Sequence, residues 1–188
     1  MTERGTLELM RHGDTGRASY RGQLDDALAD IGWLQMRGAV AGRRWNRIVS
    51  SSLRRCADFA HELAAAHGTP LSVDARLVEY GYGDWQGVTI AEIERREPDA
   101  LRRFRADPQT SAPPHAEPFA AFGARIAEAL CDIVEEFPDS RVLVVTHGAV
   151  IRWVRCRLEH RPFGEMAGMD VPNASLHRVV WPARAVAA

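Results

Sequence analysis

The chain has 188 residues, 24 of them basic and 25 acidic, for a formal charge of -1, and 46% of its residues are apolar. That length supports a packed core without metal or disulfide staples, and the balance excludes a disordered chain and a whole-surface footprint for nucleic acid or membrane. Every basic residue is Arg, since the sequence holds no Lys, which removes Schiff-base, P-loop and ammonium-base chemistry. Cys56, Cys131 and Cys156 are odd in number and form no CxxC pair, and Met1 to Gly5 leads into no apolar run. Both features predict a reduced, cytoplasmic address. No apolar stretch approaches the ~20 residues of a membrane span.

In chain order, Thr6 to Met10 reads as a strand, and a helix follows from about Asp30 to Gly42 with Ile31, Leu34, Gly38 and Ala41 on one face. Arg47 to Ser50 is a second strand. Leu53, Cys56, Ala57, Ala60, Leu63, Ala64 and His67 keep helical spacing up to Gly68, a natural C-terminal stop. Leu71 to Val73 is a third strand, and two short helices, Thr89 to Glu97 and Asp99 to Arg105, flank Pro98. After a Pro-rich stretch from Asp107 to Pro118, a long helix runs to Phe137 on the stripe Phe119, Phe122, Ile126, Ala129, Ile133. Val142 to Val145 has the continuous apolar character of a central strand. A helix from Ala149 to Glu159 and a strand near Leu176 to Trp181 complete a β/α alternation. The expected fold is a three-layer α/β/α sandwich on a mostly parallel sheet, one domain over 1–188 with an irregular insertion or lid around 82–118.

Ligands collect beyond the carboxyl ends of such strands. Arg11-His12-Gly13 follows the first strand, Arg54-Arg55 the second, and His147-Gly148 the strand at Val142. Two imidazoles, guanidiniums and helix N-termini thus converge on one edge, the donor set of a phosphate site. A phosphomonoester carries about -1.5 to -2 charge near neutral pH; arginine meets it with a planar fork, and a neutral imidazole is a competent nucleophile toward phosphorus. His12 is the candidate nucleophile, and Glu79 is placed to protonate the leaving oxygen.

At these residues the chain resembles the histidine phosphatase superfamily, the branch that includes cofactor-dependent phosphoglycerate mutase. Arg11-His12-Gly13-Asp14-Thr15 is similar to the family's RHG-x-[ST] segment, Ser50 to Arg55 to its SSPLxRA segment, Glu79 with Gly83 to Gly87 to its LxE…FGxWEG segment, and Thr146-His147-Gly148 to its second-histidine motif. The resemblance implies a phosphoglycerate mutase-like fold and a metal-independent phosphomonoesterase without a cofactor. In it His12 becomes a phosphohistidine, Glu79 is the general acid, and Arg11, Arg55 and His147 hold the phosphoryl oxygens with help from Thr15 and Gly148. Tyr20 to Leu28, Gly32-Trp33 and Arg54 to Ala60 further resemble α-ribazole phosphatase-like proteins. This implies hydrolysis of α-ribazole 5'-phosphate in assembly of the cobalamin lower ligand.

Arg21, Gly22, Gln23, Tyr82, Trp85 and His115 are the candidate substrate contacts, while Arg54 reads as solvated and Arg102, Arg103 and Arg105 as a wet helix face within reach of the pocket. The chain departs from the family pattern at Ala18, where an Asn is usual, and at Ala29, Ser52 and Gln86, which stand for Thr, Pro and Glu. His115 and Ala116 likewise replace two glycines. A phosphoglycerate mutase, a broad-specificity phosphatase and a silent phospho-ligand binding module are the rival readings. A small phosphate ester is the expected partner, with neither nucleic acid nor membrane, and monomer and homodimer are both open.

Overall fold

The computed structural model describes residues 5–184. Five strands form one sheet in the order β3-β2-β4-β1-β5. β1 (Thr6–Arg11), β2 (Arg47–Ser51), β3 (Leu71–Asp74) and β4 (Val142–Thr146) run parallel, and β5 (Leu176–Val180) closes the edge antiparallel to β1. Residues alternate across the sheet as the pleat requires. Val142 and Val144 of β4 face one apolar cluster and Leu143 and Val145 the other. α1 (Asp30–Val40) and α2 (Arg54–His67) supply the second cluster. α3 (Ile90–Arg96), α4 (Pro98–Ala106), α5 (Phe119–Glu136) and α6 (Gly148–Leu158) supply the first. The expected three layers are therefore present, and no helix among the described residues is long and apolar enough to cross a membrane.

One expectation about packing is overturned. The face of α1 carrying Ile31 and Leu34 points outward, 52% and 63% exposed, while Gly32, Met36 and Val40 are buried. Small size decides it: a Cβ on Gly32 would stand 2.1 Å from the Asp14 carbonyl oxygen, and one on Gly13 would stand 2.3 Å from the Gly32 carbonyl oxygen. Two glycines thus let α1 lie backbone against backbone on the loop after β1, a closer approach than any apolar side chain permits. Pro98, expected as a break between two helices, is the first residue of α4, where its missing N–H is harmless.

The region 82–118 is built rather than irregular. It holds a 3-10 turn at Gly83–Trp85 together with α3 and α4. Its last part is tied back to that turn, Asp84 N–H donating to the Pro114 carbonyl at 3.0 Å and Glu117 N–H to the Gly81 carbonyl at 2.8 Å. α4 then packs on a second 3-10 segment, Phe163–Gly168, where Gly164 lies against the Ala106 carbonyl. These contacts bring α4, the turn and the 163–168 segment around the carboxyl ends of the strands.

Candidate active site

The register that aligns Arg11 with Thr146 and Ser51 with Asp74 puts His12, Ser51 and His147 together beyond the sheet. The His12 and His147 rings meet edge to face, centroids 5.3 Å apart. His12 Nδ1 lies 2.7 Å from the Gly13 carbonyl oxygen. A carbonyl only accepts, so Nδ1 carries the proton and Nε2 keeps its lone pair. Burial first, then the Arg55 guanidinium, pushes the His12 pKa down to about 3, so the ring is neutral. His147 is held well below the usual imidazole range by burial and by Arg55. It is fully buried behind His12, its Nε2 2.7 Å from Ser51 Oγ and 3.6 Å from Cys56 Sγ.

Beside His12 lies a cavity of about 620 Å³. Arg55, completely buried, donates through its two terminal nitrogens to the carbonyls of Leu24 and Gly22, each at 2.6 Å. Arg11 donates to the Val171 carbonyl at 2.6 Å, and burial lowers its pKa. Both arginines line the cavity, and the Nε of each is buried without a hydrogen-bond partner. An orphaned buried donor is costly. Two of them on charged groups beside one cavity form a receptor for an anion. The Glu79 carboxylate accepts from Tyr80 N–H at 2.9 Å and from Ala149 N–H at 3.2 Å, which fixes it at the start of α6 facing the same cavity.

Of the residues singled out from sequence, Arg11, His12, Thr15, Arg21, Gly22, Arg55, Glu79, Tyr82 and Gly148 line this cavity. Arg21 is neutralised by a two-pronged ion pair with Asp26 at 2.7 and 2.8 Å. Burial and nearby Glu79 push the Tyr82 hydroxyl pKa up, so it stays protonated. Gln23, Trp85, His115 and His147 lie off the lining, His147 because it is fully buried with its Nε2 against Ser51 Oγ. Gln23 donates to the Glu79 carbonyl at 3.2 Å while its own N–H donates to Gln86 Oε1 at 2.8 Å, which makes both loop anchors. Trp85 is buried beneath Tyr20 and Phe104. His115, its side chain 82% exposed, pairs with Asp84 at 2.9 Å on the outer surface. Arg54 is solvated and pairs with Asp58. Arg105 lines the cavity, whereas Arg102 and Arg103 do not.

Four contributions escaped the sequence reading. Arg152 and Arg17 line the cavity, and Arg125 and Glu117 brace it. Arg152 sits four residues after Gly148, one helical turn on the same face, and that spacing was a usable signal. Glycine at 148 lets both guanidiniums come close, since a Cβ there would fall 2.8 Å from Arg152 Nη1 and 3.4 Å from Arg11 Nε. Arg125 of α5 donates to the carbonyls of Arg76, Val78 and Glu79 at 2.6, 2.7 and 3.0 Å and pairs with Glu117 at 2.6 Å. It clamps the loop that presents the Glu79 carboxylate. Among the described residues no three His, Cys, Asp or Glu side chains group as a metal site.

Residues 7–187 match a family model described as histidine phosphatase superfamily, branch 1. The chain belongs to this superfamily. Histidine phosphatases similar to it include the glucosyl-3-phosphoglycerate phosphatase of Mycobacterium tuberculosis, 36% identical over 184 residues that cover 90% of this chain and 82% of the relative. A bifunctional protein of the same organism is 36% identical over 160 residues, 79% of this chain, and the match spans 43% of that relative's length. Among solved structures, a mycobacterial glucosyl-3-phosphoglycerate phosphatase in complex with VO3 superposes with a TM-score of 0.82 at 33% identity, covering 93% of this chain and 90% of the other. The α-ribazole phosphatase of Shigella flexneri superposes with a TM-score of 0.77 at 22% identity, over 92% and 89% of the two chains, and so shares the fold. The chain therefore carries a histidine phosphatase superfamily domain and spans less than half the length of the first curated relatives it matches.

Proposed function

We propose that the chain is a metal-independent phosphomonoesterase working through a phosphohistidine at His12. The carrying observation is the His12 ring itself: neutral, held by the Gly13 carbonyl with its Nε2 lone pair free, and set beside two arginines that each keep an unpartnered buried N–H. Nε2 attacks phosphorus, the ester P–O bond breaks, and the leaving oxygen takes a proton from the Glu79 carboxyl. Glu79 then takes a proton from water, the resulting nucleophile breaks the P–N bond, and inorganic phosphate leaves with His12 restored. Arg11 and Arg55 stabilise the charge spread over the equatorial oxygens. Thr15 and the Gly148 backbone stand close enough to the same cavity to add donors. His147 supports the phosphoryl site from behind the nucleophile.

Two substrate readings follow. The relatives named for glucosyl-3-phosphoglycerate and the arginine-rich wall favour the phosphate ester of a hydroxy acid. Hydrolysis of α-ribazole 5'-phosphate is the second reading, favoured by the rings of Tyr20, Tyr82 and Phe104 on the cavity wall. The test is kcat/KM in excess EDTA for both esters beside an aryl phosphate, with wild type and His12→Ala, and rapid quenching to trap an acid-labile phosphoenzyme. Turnover and trapped label that both vanish in His12→Ala support the reading. Activity untouched by the substitution, phosphate binding without turnover, or isomerisation of a phosphoglycerate without phosphate release each overturns it.

A further inference from the structure

Arg55 reaches the cavity with its direction already set. A guanidinium is planar, and both terminal nitrogens of this one are taken by the carbonyls of Gly22 and Leu24, each at 2.6 Å, which leaves Nε as the donor without a partner. The bearing of that free N–H therefore follows the two carbonyls. They belong to a loop outside every helix and strand. Its flanks are tied by Leu24 N–H donating to the Arg21 carbonyl at 3.0 Å, by the ion pair of Arg21 with Asp26, and by Asp25 accepting from Arg54 N–H at 2.7 Å. Between the flanks sits the peptide unit that joins Gly22 to Gln23. It is trans, so its C=O and N–H point in opposite directions. The C=O receives Arg55 Nη2, and the N–H donates to Gln86 Oε1 at 2.8 Å.

We propose that Gln86 is a positioning residue for Arg55, acting through the Gly22–Gln23 peptide. Its kinetic consequence rests on the phosphomonoesterase reading. Gln86 lies off the cavity lining, so it acts on an anion only through other groups. The turn that carries it is itself fixed, Gln86 N–H donating to the Gly83 carbonyl at 3.0 Å and Gly87 N–H to the Tyr20 carbonyl at 2.8 Å, just ahead of the loop. Glycine at 22 admits the amide: the residue is buried with φ at +50°, and a Cβ there would run into Gln86 Oε1. A peptide unit bonded at both ends cannot turn without breaking one bond. Freeing its N–H lets the plane rotate and carries the Gly22 carbonyl away from Nη2. The guanidinium then keeps a single anchor, at Leu24, and Nε loses its aim. Arg55 serves the phosphoryl oxygens that every ester shares, so the loss falls on all esters alike.

The experiment measures the Kd of inorganic phosphate by isothermal titration calorimetry, and kcat/KM for an aryl and an alkyl phosphate, in wild type, Gln86→Met and Gln86→Glu. Methionine keeps the length of the side chain without its oxygen, and glutamate keeps an acceptor. Circular dichroism melts confirm that each variant is folded at the assay temperature. Gln86→Met is expected to weaken phosphate binding by about threefold to tenfold, the worth of one hydrogen bond, and to lower kcat/KM by a similar factor for both esters. Gln86→Glu should recover most of both. On an Arg55→Gln background the Met substitution should cost no further kcat/KM for the aryl ester, as two residues acting through one contact require. A lower Tm with phosphate Kd and kcat/KM unchanged, a loss that Glu does not recover, or a loss that adds in full to that of Arg55→Gln overturns the proposal and leaves the phosphatase reading intact. Hydrolysis that persists in His12→Ala overturns the phosphatase reading, and the phosphate titration then judges the link from Gln86 to Arg55 by itself.

Discussion

A histidine kept neutral inside a cationic pocket leaves a mark on stability. The unfolded chain binds a proton at His12 as pH falls below the ordinary imidazole value of 6.5, but the folded chain resists until about pH 3. More protons on the unfolded state means stability falls as pH falls across that window. At pH 5 the deficit from this one ring is about 2 kcal/mol. Urea denaturation of wild type and His12→Asn at pH 7.5 and pH 5, in phosphate-free buffer, should show the variant losing about 2 kcal/mol less. Equal losses would mean that His12 is protonated in the fold. At this scale the motifs were legible: Arg11, His12, Arg55, Glu79 and Gly148 occupy the cavity wall that their strand-end positions predicted, with His147 directly behind. Arg152 was not, because it belongs to no strand end and is recruited by a helical turn. Trp85 and His115 misled because an aromatic ring and an imidazole near a site carry no sign of which way they turn. Burial under Tyr20 and pairing with Asp84 settle their directions.

Among elements, the contact of α1 with the loop after β1 controls the His12 ring at one remove, since the carbonyl that holds His12 Nδ1 belongs to Gly13. Gly32→Ala should push α1 off that loop, at a cost of about 1 to 3 kcal/mol or more, and lower kcat by releasing the imidazole. A chemical melt paired with steady-state kinetics checks both, and an unaltered kcat would show that the contact only packs. Arg125→Gln should act on the acid, removing the clamp on the Glu79 loop and leaving Glu117 unpaired. A loss of about 3 kcal/mol is expected, with kcat falling more for alkyl esters, which need protonation of the leaving oxygen, than for aryl esters. A uniform fall across esters would assign Arg125 a structural role alone. Hydrophobic spacing located α2 and α5 but chose the outer face of α1, because periodicity counts apolar side chains and the true interface is made by their absence. The direction of β5 was equally hidden: alternation identifies a strand and says nothing of the way it runs.

For the whole molecule, the unpartnered donors of Arg11 and Arg55 predict strong linkage between anion binding and folding. Phosphate or vanadate at a hundred times its Kd should add about 2.7 kcal/mol, which for a chain of this size raises Tm by about 5 to 10 °C. Differential scanning fluorimetry of wild type and Arg11→Gln tests it, with the rise expected to shrink sharply in the variant. The three-layer order was legible from the β/α alternation because the apolar run Val142 to Val145 fits a central strand covered on both faces, and β4 is buried throughout. The tertiary braces were not, since Arg125 and Glu117 look from sequence like ordinary surface charges. The segment that leads into β5 has a further consequence for how the proposed site is assembled. The Val171 carbonyl receives Arg11, the Ser175 carbonyl receives the Arg11 N–H, and Ala174 N–H donates to the His12 carbonyl, so Arg11 and His12 at the front of the chain are fastened by residues made more than 150 positions later. Domains fold as units, and here the first strand cannot set its two site residues until the last stretch of the sheet has been synthesised.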